Sequence, residues 1–180
     1  MPKRCRGEPQ GDTSSSSSSI KNPCIVVFDL ETIGLIQHAY GYTRDEKIRN
    51  LDISCLSVLT IDSEAFLNDL DGTAIDAGTM KTYWGERTHM DADDTTRECG
   101  FGPVLELFDQ AELIVGYNCI SFDFQVLRKH YPLDAEARFQ RHLAKTHDVF
   151  DRVRKSTGVW FKLDVLLGHN GLAQKSGDGL

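Results

Sequence analysis

No run of apolar residues in this chain approaches the ~18 needed to cross a membrane, so no membrane partner is expected. No apolar stretch follows the basic first residues, so no secretory signal is visible. Cysteine is sparse and unpatterned: Cys5, Cys24, Cys55, Cys99 and Cys119 are odd in number, irregular in spacing and free of any C-x-x-C pair. That argues against a disulfide framework or a structural zinc site, and the expected compartment is reducing and intracellular, cytoplasmic or nuclear. Nothing near Cys119 in sequence would activate its thiol as a nucleophile. Basic charge is also short. The 20 Lys and Arg against 27 Asp and Glu leave a net charge of −7, which by itself argues against a general nucleic-acid binder with one basic face.

What is present is enough for one folded domain. The 180 residues are 40% hydrophobic and 26% charged, an ordinary balance for a chain that buries a core. Residues 1–22 read as a disordered tail: Lys3, Arg4 and Arg6 precede Gly and Pro, then Thr13 and six serines, Ser14 to Ser19, with almost nothing to bury. Residues 23–180 read as the domain.

Cys24 to Phe28 is a short apolar run rich in β-branched residues, which predicts a buried central strand. Residues 53–61 and 80–84 predict two more strands, separated by the turn chemistry of Asn68-Asp69, Asp71-Gly72 and Gly78. Three strands in a row suggest an antiparallel meander. The pattern then changes. Val104, Leu105, Leu107 and Phe108 have helical spacing behind Pro103, and residues 113–117 form another buried strand. Ser121 is placed to cap a helix carrying Phe122, Val126, Leu127 and His130 and ended by Pro132. A helix is expected within 134–145, residues 149–153 fit helix or strand, and residues 163–167 begin a further helix. Antiparallel strands followed by alternating helix and strand make an α/β domain with a mixed sheet.

Two short motifs carry chemistry. Asp29 and Glu31 sit two apart on the first strand, so both side chains leave the same face, near the strand's C-terminal end where α/β sheets place ligands. Crowded carboxylates repel until one takes a proton or a cation joins them. Their hard oxygens favour Mg²⁺ or Mn²⁺, and such metals let even an acidic protein act on phosphodiesters. Asp-x-Glu recurs at Asp62-Ser63-Glu64 and Asp134-Ala135-Glu136, where both copies read as solvated turn or helix positions and are given no role. The second motif, Asn118-x-x-x-Phe122-Asp123, occurs once, directly after the strand LIVGY. Asp123 would open a helix, where the positive end of the dipole favours a carboxylate.

FDLETIGL and GYNCISFDFQVL together resemble the first and second motifs of the DEDD superfamily of 3′–5′ exonucleases, which have the ribonuclease H-like fold. The resemblance implies that Asp29, Glu31 and Asp123 are three of four metal-binding carboxylates holding a two-metal Mg²⁺ or Mn²⁺ site. It implies that Thr32, Ile33 and Gly34 lie beside the terminal nucleotide and that Asn118 and Phe122 support the substrate strand. The implied partners are single-stranded DNA or RNA 3′ ends, and the implied products are nucleoside 5′-monophosphates.

The third motif of that family, a Tyr or His four or five residues before the fourth aspartate, is not found. His169 has Gln174 where the aspartate belongs, Asp178 has no Tyr or His at the required distance, and Tyr131 precedes Asp134 at the wrong spacing. Asp148 is placed near the site, as a supporting or purely structural carboxylate. The stretch from Leu163 to Leu180 resembles the Leu-x-x-Leu…Gly…Lys-x-x-x-Gly segment of one branch whose ribonuclease H-like domains are in some cases fused to helicases. By that comparison the chain stops about two dozen residues early, a helix and its loop. The expectation is an exonuclease domain that is C-terminally incomplete and inactive alone, with a helicase domain of the same full-length protein as an implied partner. The alternatives are a non-catalytic nucleic-acid-binding or scaffold module of the same fold, a proofreading domain of a B-family DNA polymerase, whose second exonuclease motif GYNCISFDF also resembles, and an unrelated α/β domain.

Overall fold

The computed structural model describes residues 24–69, 71–85 and 100–172. The Ser-rich tail of 1–22, Cys99, Gln174, Asp178 and the Lys and Gly residues between them lie outside this set.

Five strands form one sheet: β1 (Cys24–Ile33), β2 (Asp52–Asp62), β3 (Thr79–Trp84), β4 (Ala111–Gly116) and β5 (Thr146–Asp148), in the order β3-β2-β1-β4-β5. The β1–β2 and β2–β3 pairs are antiparallel, as the meander requires, and the β1–β4 and β4–β5 pairs are parallel. The mixed α/β sheet expected from the sequence is therefore present. β1 continues past Phe28 to Ile33 because β2 pairs along its whole length, from Cys24 opposite Asp62 to Ile33 opposite Asp52.

Helices fill the connections. α1 (Arg44–Arg49) lies between β1 and β2, and α2 (Ser63–Leu67) and α3 (Thr73–Asp76) lie between β2 and β3. The meander is thus not free of helix. α1 is held by a capping box: Glu46 donates its N–H to the Thr43 hydroxyl at 3.2 Å, and the Glu46 carboxylate accepts the Thr43 N–H at 3.0 Å. α4 (Gly102–Gln110) leads into β4, with proline in its first turn as expected. α5 (Asp123–Leu127), a 3₁₀ turn at Arg128–His130 and α6 (Glu136–Ala144) connect β4 to β5, and α7 (Val149–Thr157) and α8 (Leu163–His169) follow. Ser121 does not cap α5. Phe122 occupies that position with no side-chain hydrogen bond, because the preceding turn is held from below by Asp148.

The two faces of the sheet are unequal. Val26, Phe28 and Leu30 point from β1 into the main core with Val104, Leu105 and Phe108 of α4 and Phe124, Val126 and Leu127 of α5. Phe28 stands 5.0 Å from Phe108 and 5.4 Å from Phe124, ring centre to ring centre; burying side chains of this size stabilises by about 1.5–3 kcal/mol each. The alternate residues Ile25 and Val27 face a thinner layer containing Ile61 and Ala74 with half-buried Leu59, Leu113 and Val115. Strand alternation continues this second face to Asp29 and Glu31, both exposed. A packed face therefore fixes β1 while its opposite face presents the carboxylates.

Behind the sheet, His142 is fully buried. The Tyr131 hydroxyl lies 2.7 Å from His142 Nδ1, and His142 Nε2 lies 2.8 Å from Asp109 Oδ1. Arg138 completes the row with Nη2 2.6 Å from Asp109 Oδ2. This polar row joins α4 to α6 away from the carboxylates.

Candidate functional site

Asp29 and Asp123, far apart in sequence, become electrostatic neighbours because β1 and β4 run parallel and side by side. β4 ends at Gly116, where a side chain would place Cβ 2.7 Å from Cys119 Cβ and 2.8 Å from its Sγ. Glycine lets the chain fold tightly over Cys119 into the turn that delivers Asp123. Asn118 in that turn has φ +60°, the left-handed region, the only such non-glycine residue among those described. Phe122 donates its N–H to the Asn118 carbonyl at 3.1 Å and Phe124 to the Cys119 carbonyl at 2.9 Å.

Asp148 holds this turn from the end of β5. Its Oδ1 accepts the Asn118 N–H at 2.8 Å and the Phe150 N–H at 3.1 Å, and its Oδ2 accepts the Ile120 N–H at 3.0 Å. The side chain is 5% exposed. Both oxygens are thus committed to backbone donors, which assigns Asp148 a positioning part: it fixes the turn and caps α7 at once.

Asp123 is 6% exposed. Burial, and then the Asp29 carboxylate beside it, push its carboxyl up to about 7, while its own N–H and that of Leu30 draw it down and Asp148 adds to the rise. The α5 helix that Asp123 opens has five residues, and here burial and a neighbouring negative charge outweigh the helix-end effect expected from sequence. Burial, with Asp148 and Asp123 nearby, also pushes the Cys119 thiol upward, which suits a core residue and not a nucleophile.

Glu31 is exposed farther along the same face of β1, where the pairing with β2 shifts register between Glu31 and Thr32. Beyond it, Thr32 donates its hydroxyl to the Gly34 carbonyl at 3.3 Å, and Gly34 turns the chain with φ +83°. Ile33 is exposed, and Asn118 and Phe122 are half-buried. Among the described residues, no three His, Cys, Asp or Glu side chains form a ready cluster for a metal ion. The carboxylates brought together electrostatically are Asp29 and Asp123, with Asp148 close behind.

A cleft of about 920 Å³ opens at this point, with Asp29, Asn118 and Asp148 on its wall. The rest of its lining was not anticipated from sequence: Arg44 comes from α1, Tyr117 from the turn, Phe150 and Arg154 from α7, and Trp160 and Lys162 from the segment before α8. The available signal was the interleaving of aromatic and basic residues from Phe150 to Lys162.

The sheet order, the mixed strand directions and the flanking helices define the ribonuclease H-like fold, as found in exonuclease I. A product-bound exonuclease I structure superposes with TM-score 0.53 at 17% identity, covering 85% of this chain and 39% of that one. An Escherichia coli exonuclease I complex with a dT13 oligonucleotide gives 0.52 at 17% identity, covering 86% and 37%. The zinc ion bound form of the E. coli exonuclease I complex with single-stranded DNA gives 0.52 at 17%, covering 84% and 36%. This chain therefore spans less than two fifths of the length of those proteins. No protein-family model matches it, and no curated protein matches it. Among the described residues, no helix is long and apolar enough to cross a membrane.

Proposed function

We propose that residues 23–180 are a metal-dependent 3′–5′ exonuclease domain of the DEDD type, acting on single-stranded 3′ ends and releasing nucleoside 5′-monophosphates. The observation that carries this reading is the burial of Asp123 next to the Asp29 carboxylate, where the parallel pairing of β1 and β4 ends. A carboxylate pair that repels itself in the absence of a cation is what a hard divalent metal would relieve. Asp29 and Asp123, with Glu31 on the same strand face, supply the oxygen donors that suit Mg²⁺ or Mn²⁺. A bound metal pair supplies Lewis-acid polarisation of a phosphate and a more acidic water.

The remaining roles belong to the protein. Asp148 keeps the turn in place so that Asp123 meets β1. Thr32, Ile33 and Gly34, at the end of β1, border the terminal nucleotide, and Asn118 and Phe122 support the strand. By the resemblance, full turnover draws on a fourth carboxylate and a Tyr or His proton acceptor besides these residues. The Leu-x-x-Leu…Gly…Lys pattern supports the branch that includes helicase-linked members. One observation favours a second reading, a non-catalytic strand-binding module: no three-ligand cluster is formed among the described residues.

Incubating the chain with 5′-labelled single-stranded DNA or RNA and Mn²⁺ separates the two. Strand binding strengthened by Mn²⁺ and weakened in Asp29→Ala is the expected result, with little hydrolysis. A 3′→5′ ladder lost in Asp29→Ala would support the exonuclease reading and refute the expectation of inactivity alone. Binding indifferent to both metal and Asp29 supports the non-catalytic module. No binding of either strand overturns both.

A further inference from the structure

The cleft that Asp29 lines also contains an aromatic residue held by its neighbours and left in water. α7 ends at Gly158, whose φ of +72° reverses the chain and brings Trp160 back over the helix. The Trp160 ring meets Phe150 edge-on at 5.3 Å, and Phe150 meets Tyr117 at 5.5 Å. The Tyr117 hydroxyl donates to the Phe161 carbonyl at 2.5 Å, tying the row to the segment that carries Trp160. The Arg154 guanidinium lies over the Trp160 ring, 5.2 Å from its centre, and is itself held by Asp151 at 3.0 Å. Even so, Trp160 is 70% exposed.

A single exposed hydrophobic side chain is ordinary on a protein surface. Trp160 differs in three respects. Its orientation is fixed by contacts with two residues of α7, it is backed by a cation, and it lines the same cleft as Asp29 together with Arg44 and Lys162. A ring with a guanidinium on it and water beside it is a platform for a flat, polarisable ligand. Positive side chains along the same cleft suit a chain of phosphates, and this combination is the sequence-tolerant way to hold an unpaired nucleic-acid strand.

We propose that Trp160, backed by Arg154, stacks one base of a single-stranded nucleic acid, with Lys162 and Arg44 on its phosphates, while the 3′ end lies at Asp29 and Asp123. The strand's direction rests on the exonuclease reading. The stacking contact rests on the ring's own surroundings. The acidic chain thus concentrates strand recognition in one cleft and needs no basic face.

The test compares a labelled oligo-dT with an abasic strand of the same length, by fluorescence anisotropy in Ca²⁺. The intact chain should prefer the strand with bases by about tenfold, the scale of one stacked base. Trp160→Ala should remove most of that preference with little effect on the abasic strand, and Trp160→Phe should keep part of it. Lys162→Ala should weaken both strands alike and lower the salt slope by about one. A Trp84→Phe background leaves Trp160 as the sole indole, and its emission should be quenched by oligo-dT and not by the abasic strand. An undiminished base preference in a folded Trp160→Ala protein overturns the platform and leaves the nuclease reading standing. Loss of metal-strengthened binding in Asp29→Ala, with the Trp160-dependent preference intact, supports both. An Asp29→Ala protein with unchanged metal response and intact base preference supports the platform and overturns the metal site. Failure to bind either strand overturns both.

Discussion

The backbone N–H of Asn118 donates to the buried carboxylate of Asp148 at 2.8 Å, joining the turn after β4 to the end of β5. Ile120 and Phe150 donate to the same carboxylate, so one side chain organises the turn that delivers Asp123 and the first residues of α7. The consequence is that the candidate metal site depends on a residue that accepts three backbone hydrogen bonds of its own.

Replacing Asp148 by alanine leaves three backbone donors unpaired in a buried place. Hydrogen bonds to a charged acceptor contribute about 1.5–3 kcal/mol each, and losses within one network are not additive. Urea unfolding of Asp148→Ala should show a loss of about 3 kcal/mol, with Asp148→Asn losing less because one oxygen remains to accept. Metal affinity should fall along with stability in Asp148→Ala.

Asp123 makes stability depend on pH in an unusual direction. Its carboxyl is held near 7 in the folded chain and titrates near the ordinary ~3.9 when unfolded. Between those values the folded state holds a proton that the unfolded state has released, so metal-free stability falls as pH rises from about 4 to 7 and is level above. Asp123→Asn should abolish that loss. The variant should be the more stable protein at pH 8, by up to about 4 kcal/mol. Urea unfolding at intervals from pH 4 to 8 in EDTA checks both the sign and the window.

His142 adds an opposite slope. Burial lowers its pKa below the ordinary value, while Asp109 partly offsets this. The unfolded chain therefore takes up a proton near ~6.5 that the folded chain resists, and stability contributed by the neutral ring is lost as pH falls through that value. The Asp123→Asn background isolates this effect: stability should drop between pH 7 and 5 there, and the drop should vanish with His142→Gln. Tyr131→Phe leaves His142 Nδ1 without its hydroxyl partner and should cost about 1–2 kcal/mol.

Part of the candidate site's layout was legible because its residues sit in two contiguous stretches. The run IVVF before Asp29 lies in β1 and LIVG before Tyr117 in β4, and their parallel pairing brings Asp29 and Asp123 into each other's field. Other features were less visible for physical reasons. Thr43 and Glu46 form a capping box without an apolar stripe behind them, since Ile48 is the one buried residue of α1. The function of Asp148 depends on hydrogen bonds to Asn118 and Ile120 across some thirty residues, which no local pattern encodes. Nothing in the sequence tells where the Trp160 ring lies; after the left-handed turn at Gly158 it rests against Arg154 and stays 70% exposed.

The most direct measurement is Mn²⁺ binding at pH 8, followed by electron paramagnetic resonance, in the intact chain and in Asp29→Asn and Asp123→Asn. Saturable Mn²⁺ binding weakened at least about tenfold by either substitution is expected, with both variants still folded. Equal Mn²⁺ affinity in all three proteins would contradict the assignment of these carboxylates as a metal site.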